Sequence, residues 1–209
     1  MQLGNFQLEW QKLFSTFSSE SNSLNKIFWE LVVAYSENNR FYHNLLHIQD
    51  VLNIASILEP LAENFVAIQM AAWFHDIIYD SKAKDNEEKS AEYAFVSLCN
   101  LDIPSSVIDS VFSMIINTKN QAEPNTIDSQ ILLDADLSIL GSDPLKYNAY
   151  AQAIRQEYSW VSDAEYRIGR TRVLKRFLQR DRIYFSDKAF QMLEIKARKN
   201  MNTEISNFY

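Results

Sequence analysis

Apolar side chains recur along this chain at intervals of three and four residues, and short polar clusters interrupt them. Residues 3 to 18 place Leu3, Phe6, Leu8, Trp10, Leu13, Phe14 and Phe17 at helical spacing. The run Ser-Ser-Glu-Ser-Asn-Ser at 18 to 23 ends that helix and offers N-caps to a second, which carries Leu24, Ile27, Phe28, Leu31 and Val32. Ser36 to Arg40 reads as a loop. A third helix opens near Arg40 to His43 and continues through Val51, Leu52, Ala55 and Leu58 until Pro60 stops it. If His43 is helical, it shares a face with His47 four residues on. A fourth spans 61 to 79, with Leu61, Phe65, Ile68, Ala71, Ala72 and Phe74 as packing positions.

The polar run at 81 to 89 reads as solvated surface, or as a lid if the site lies beneath it. Helical spacing resumes from Ser90 to Cys99 and again from Pro104 to about Asn120, with a linker to Pro124. Ile131 to Gly141 is apolar except for Asp134, Asp136 and Ser138, and Gly141 stands where a helix stop belongs. Ser142-Asp143-Pro144 caps a helix bearing Tyr147, Tyr150, Ile154 and Tyr158. Two more follow, from Asp163 to Arg180 and from Asp187 to about Ile205. The pattern predicts an all-α helical bundle of about eight to ten helices, with residues 1 to 209 as one domain.

Composition agrees with that pattern. The chain has 3 Gly and 4 Pro, where average usage over such a length gives roughly fifteen and ten, so a turn-rich sandwich or barrel is disfavoured. A formal charge of -7 argues against general nucleic-acid binding, which needs a basic face. No apolar run reaches the ~18 residues that span a bilayer, and MQLGNFQLEW lacks the basic flank of a secretory signal. The single Cys99 cannot form an internal disulfide and reads as a buried small hydrophobe. A cytoplasmic protein is the expectation, with no membrane partner.

The chemistry concentrates where apolar segments meet histidine and carboxylate. In Trp73-Phe74-His75-Asp76-Ile77-Ile78-Tyr79-Asp80, an adjacent His-Asp brings an imidazole nitrogen and a carboxylate oxygen near one point. A buried carboxylate is costly unless it is paired or bound to metal, which makes a purely structural Asp76 the weaker account. Two of the three histidines, His43 and His47, fall within five residues beside Arg40, Tyr42 and Asn44. Asp134 and Asp136 lie two apart and so face different sides of a helix, one free to bind metal while the other caps or orients.

The ordered set of His47, then His75-Asp76, then Asp136 resembles the HD-domain superfamily of metal-dependent phosphohydrolases, and more closely a branch of predicted metal-dependent HD phosphohydrolases. The resemblance rests on Tyr42 to Ile48, Ala72 to Asp80, Asn86-Glu87 with Ser90-Ala91, and Asp134 to Leu137 with Ile139-Leu140-Gly141. It continues through Ile154 to Tyr158 and Gly169-Arg170. It implies an HD-like helical fold with a metal-site core at about 40 to 140 and C-terminal helices at 143 to 205 packed on it. It further implies one divalent ion (Mn, Fe, Co, Ni, Mg or Zn) held by His47, His75, Asp76 and Asp136, with Asp134 the alternate for the last position. Asp76, Asp80 and Glu87 become the catalytic candidates, while Arg40, His43, Asn44, Lys119 and Arg155 become candidates for contacting phosphate or sugar oxygens.

The chain departs from many such relatives in having no histidine after His75, and Asn120 and Gln121 stand where others continue into histidine. One metal ion rather than two is the expectation. The implied activity is hydrolysis of a small phosphorylated metabolite, a nucleotide being the leading example, through a metal-activated water. The competing class is a non-catalytic module that binds a nucleotide or metal and reports it to a partner. A third reading makes the ion a structural staple. Nothing in the sequence fixes the oligomeric state.

Overall fold

The segment FVAIQMAAWF is apolar on every side, and a helix of that kind is stable only when other elements surround it. The computed structural model describes residues 3–17, 20–120 and 124–208. It folds them into ten α-helices and two short 3-10 turns, without a strand. The helices are α1 (Leu3–Leu13), α2 (Ser21–Ala34), α3 (Leu45–Leu58), α4 (Phe65–Phe74) and α5 (Asn86–Cys99), then α6 (Ser105–Asn120), α7 (Ile127–Asp136), α8 (Pro144–Glu157), α9 (Asp163–Leu178) and α10 (Asp187–Ser206). The all-apolar segment is α4, and it packs against α1, α3, α5, α6 and α7. Ala67, Ala71 and Ala72 let neighbours approach closely, and Trp73 and Phe74 close the core. Trp73 meets Trp10 edge-on at 5.5 Å between ring centroids, with Phe6 at 5.8 Å.

Both ends of α4 are pinned from other helices. The Asn64 side chain accepts from Ala67 N, while Asp128, in the first turn of α7, accepts from Glu63 N and Asn64 N at 2.8 and 3.0 Å. At the far end the Tyr35 hydroxyl donates to Trp73 O at 2.9 Å. The Trp73 carbonyl, at the buried helix end, would otherwise lack this partner.

A second layer lies against the 3-10 turn Leu137–Gly141, which α8 and α10 both contact, and α9 packs on α10. Arg170 on α9 donates to both carboxylate oxygens of Glu204 on α10, at 2.8 and 3.1 Å, and Tyr147 on α8 donates to the same group. This buried ion pair is satisfied on both sides, the condition under which such pairs are tolerated.

Several boundaries differ from the expected ones, and side-chain caps explain most of them. α1 stops at Leu13, with residues 18 and 19 of the expected first helix and loop outside the described set. α3 starts at Leu45, because Asn44 caps it by accepting from Leu46 N, so His43 precedes the helix. α4 is shorter than 61 to 79: Asn64 caps its start and His75 to Asp80 lie in the turn that follows it. α5 begins at Asn86, so half of the polar run is helical, with Glu87 and Glu88 favourably placed in the first turn. Gly141 ends a 3-10 turn and no glycine has positive φ. A Cβ there would sit 2.6 Å from Leu193 Cβ and 2.8 Å from Leu193 O, so close approach of α10 is what requires glycine. Cys99, expected in the core, is exposed on the last turn of α5. Among the described residues no helix is long and apolar enough to cross a membrane.

Substituting Gly141→Ala should force α10 away from this turn and cost about 1–3 kcal/mol. Urea denaturation should show a lower midpoint with an unchanged slope.

Candidate metal centre

Four side chains from three places in the chain converge. His47 comes from the first turn of α3, His75 and Asp76 from the turn after α4, and Asp136 from the last residue of α7. His47 Nε2 lies 3.1 Å from His75 Nε2 and 3.3 Å from Asp136 Oδ1. Asp76 Oδ2 lies 3.1 Å from His75 Nε2 and 3.5 Å from His47 Nε2, and Asp136 Oδ1 is 3.6 Å from His75 Nε2. His47, His75 and Asp136 form the tightest group, each with a ligand atom within 4.8 Å of the others. Asp76 closes on the two imidazoles.

These spacings suit a shared ion. With metal–ligand bonds of about 2.1 Å, neighbouring ligand atoms stand roughly 3.0–3.4 Å apart in octahedral or tetrahedral geometry. His75 Nδ1 lies 2.9 Å from Ala72 O, a pure acceptor, so that nitrogen carries the proton and Nε2 is left to ligate. The imidazoles are almost fully buried, and the carboxylate side chains are 17% exposed.

Without an ion the four groups hold one another's charges. Burial alone would lower His75, but Asp76 and Asp136 more than offset it and keep the imidazolium well above its usual range; His47 is raised in the same way. Burial would raise Asp76 and Asp136, yet the imidazoles hold both below the usual carboxylate range. Such mutual dependence is the signature of charges that are costly to separate.

Asp134 is directed elsewhere. It is fully buried and accepts from Phe185 N and Ser186 N at 2.7 and 2.8 Å, fixing the start of α10. Burial pushes its carboxyl up to about 6. The two aspartates thus divide as their spacing suggested, Asp136 toward the cluster and Asp134 toward the backbone of another element.

A cavity of about 980 Å³ opens beside His75, Asp76 and Asp136. Of the expected substrate contacts, His43 and Lys119 line it. Arg40, Asn44 and Arg155 do not, because their donors serve the fold. Arg40 is buried and donates to Asp76 O, Ile77 O and His43 O, holding the turn that carries His75 and Asp76. Asn44 caps α3. Arg155 holds Asp163, Tyr158 O and Val161 O with its guanidinium over Tyr166, and so shapes the α8–α9 turn. Lys119 is paired with Glu88 and donates to Lys84 O at 2.7 Å.

Asp80 and Glu87 both line the cavity. Asp80 is exposed at its rim and accepts from Lys82 N. Glu87 is half-buried, and burial, helped by the Asp76 charge, raises its carboxyl. Residues 81 to 84 line the rim itself, tied by the Ser81 hydroxyl, which donates to Glu157 O at 2.9 Å.

Glu157, to which sequence reading gave no role, organises the other wall. Its buried carboxylate accepts from Tyr42 N, His43 N, His43 Nδ1 and the Tyr79 hydroxyl, at 2.7 to 3.0 Å. A carboxylate only accepts, so His43 carries its proton on Nδ1, leaving Nε2 as the ring's other polar atom. The signal was available: Tyr147, Tyr150, Ile154 and Glu157 follow one stripe of α8, so the acid stands at a core position.

No known protein family, characterised protein or solved structure matches the chain.

Asp136→Asn should weaken Mn binding at least about tenfold by calorimetry, whereas Asp134→Asn should leave Mn affinity near that of the parent chain while lowering thermal stability. Glu157→Gln replaces an acceptor with a donor facing His43 or Tyr79 and should cost about 1–3 kcal/mol at pH 7. Burial raises Glu157, but hydrogen bonds from His43 and the backbone more than offset this and hold it below its ordinary 4.5. Its stabilisation is therefore present above 4.5 and lost as pH falls further. The stability gap between the parent and the Gln variant should narrow below that pH in denaturation curves.

Proposed function

We propose that the chain is a metal-dependent phosphohydrolase of the HD type acting on a small phosphorylated metabolite. The observation that carries this reading is the convergence of His47, His75, Asp76 and Asp136 at ligand spacing on the wall of a cavity large enough for a metabolite. Two imidazoles and two carboxylates fit a hard or borderline divalent ion and leave positions for a water and a phosphate oxygen. When bound, such an ion lowers the pKa of a coordinated water and offsets phosphate charge.

The protein groups divide the remaining work. Arg40 fixes the backbone carbonyls of Asp76 and Ile77, so the His-Asp turn is held before any ligand arrives. His43, oriented by Glu157, supplies a hydrogen-bonding nitrogen, and Lys82 and Lys84 give the cavity cations suited to phosphate, while Lys119 beside them is paired with Glu88. Glu87 and Asp80 are the acid/base candidates within the same cavity, and the raised carboxyl of Glu87 favours it as the proton carrier nearer neutral pH.

Phosphate release should be tested with the Mn-loaded chain on a panel of phosphomonoesters and nucleotides. Turnover is expected with at least one, and His75→Ala should lower kcat/KM by more than about a hundredfold while the chain stays folded by circular dichroism. Absence of turnover across the panel with Mn, Co, Ni and Mg would count against hydrolysis.

A further inference from the structure

The cavity beside the four-residue cluster is larger and more apolar than a phosphate and a sugar require. Its volume of about 980 Å³ lies near the top of the range for pockets that enclose drug-sized ligands. One end carries His75, Asp76 and Asp136. From there it runs between the 3-10 turn Leu137–Gly141, α8 and α9, where Leu140, Ile154, Leu174, Phe177 and Tyr150 form its walls. Leu174 and Leu140 are 0% and 2% exposed and form the core behind the gallery, whose accessible apolar surface comes from Tyr150, Tyr158, Val161 and Val173.

The polar groups along this gallery are largely spent. Arg170 is committed to Glu204 and to the Tyr150 hydroxyl. Ligand hydroxyls placed against these walls would exchange water for aliphatic carbon, which is unfavourable without a compensating bond. The exceptions are the Tyr166 hydroxyl, which is buried without a hydrogen-bonding partner, and Arg172 and the Tyr158 hydroxyl, which line the cavity without a hydrogen bond among the described residues.

We infer that the substrate is a phosphomonoester of an alcohol with a bulky apolar body, aryl or medium-chain alkyl, seated in the gallery with its phosphate at the cluster. This rests on the phosphohydrolase reading for the reaction and on the gallery alone for the body. Hydrolysis of such an ester forms a P–O bond to water oxygen, breaks the P–O bond to the alcohol and delivers a proton from the water to the departing oxygen. No redox partner is involved.

Gly169 provides a means of closing the gallery without disturbing the fold. It lines the cavity from within α9, and a Cβ there would meet nothing within 4 Å. Gly169 is exposed, so Gly169→Phe places a ring at the mouth of that space, and it raises helix propensity.

Binding should be measured by calorimetry on the full Mn-loaded chain with ethylphosphonate and octylphosphonate, which are not hydrolysed, and kcat/KM with 2-naphthyl phosphate, AMP and glucose 6-phosphate. Octylphosphonate should bind at least about tenfold more tightly than ethylphosphonate. Gly169→Phe should erase that preference while leaving ethylphosphonate affinity within about twofold, and 2-naphthyl phosphate should be the best of the three esters. Equal binding of the two phosphonates, or a higher kcat/KM for AMP or glucose 6-phosphate, would overturn the inference and leave the hydrolase reading standing. A clear octyl preference with no turnover of any ester would support the apolar body and count against hydrolysis instead.

Discussion

Two imidazoles and two carboxylates are held at contact distance inside an apolar bundle, and the rest of the structure can be understood from that constraint. Each charge would be expensive to bury alone. Together they are tolerable because each lies against a group of opposite sign. The arrangement requires three separate helix ends to meet at one point: the start of α3, the turn after α4 and the end of α7. The caps and clamps serve that meeting. Asp128 ties α7 to the start of α4, and Arg40 grips the turn beyond its end.

The second layer gives this cluster a cavity to act on. Glu157 joins α8 to Tyr42, His43 and Tyr79, so the wall beside His47, where Tyr42 and His43 lie, is fixed by one buried carboxylate. The 3-10 turn that follows Asp136 then feeds directly into the apolar gallery, with Gly141 allowing α10 to pack against it. That layout gives the cavity a polar end at the cluster and a more apolar stretch between α8 and α9.

Much of this was legible in the sequence because helical periodicity is a local signal. The helices appeared with the right type and order, and the four ligand-type residues that converge were those selected as His47, His75, Asp76 and Asp136. What the sequence could not resolve depends on long-range partners. Arg40, Asn44 and Arg155 have the chemistry of phosphate ligands, but their donors are taken by backbone and carboxylate groups that only the fold brings near. Glu157 is not legible as a site residue, because an acid on α8 gains meaning only when Tyr42 and His43 arrive from 115 and 114 positions away. Gly141 looked like a helix stop and instead answers a contact with α10.

If the cluster of His47, His75, Asp76 and Asp136 holds one divalent ion, elemental analysis after saturation with Mn and removal of loose metal by gel filtration should find one Mn per chain, lost on replacing His75; no retained metal, or two ions per chain, would overturn that reading.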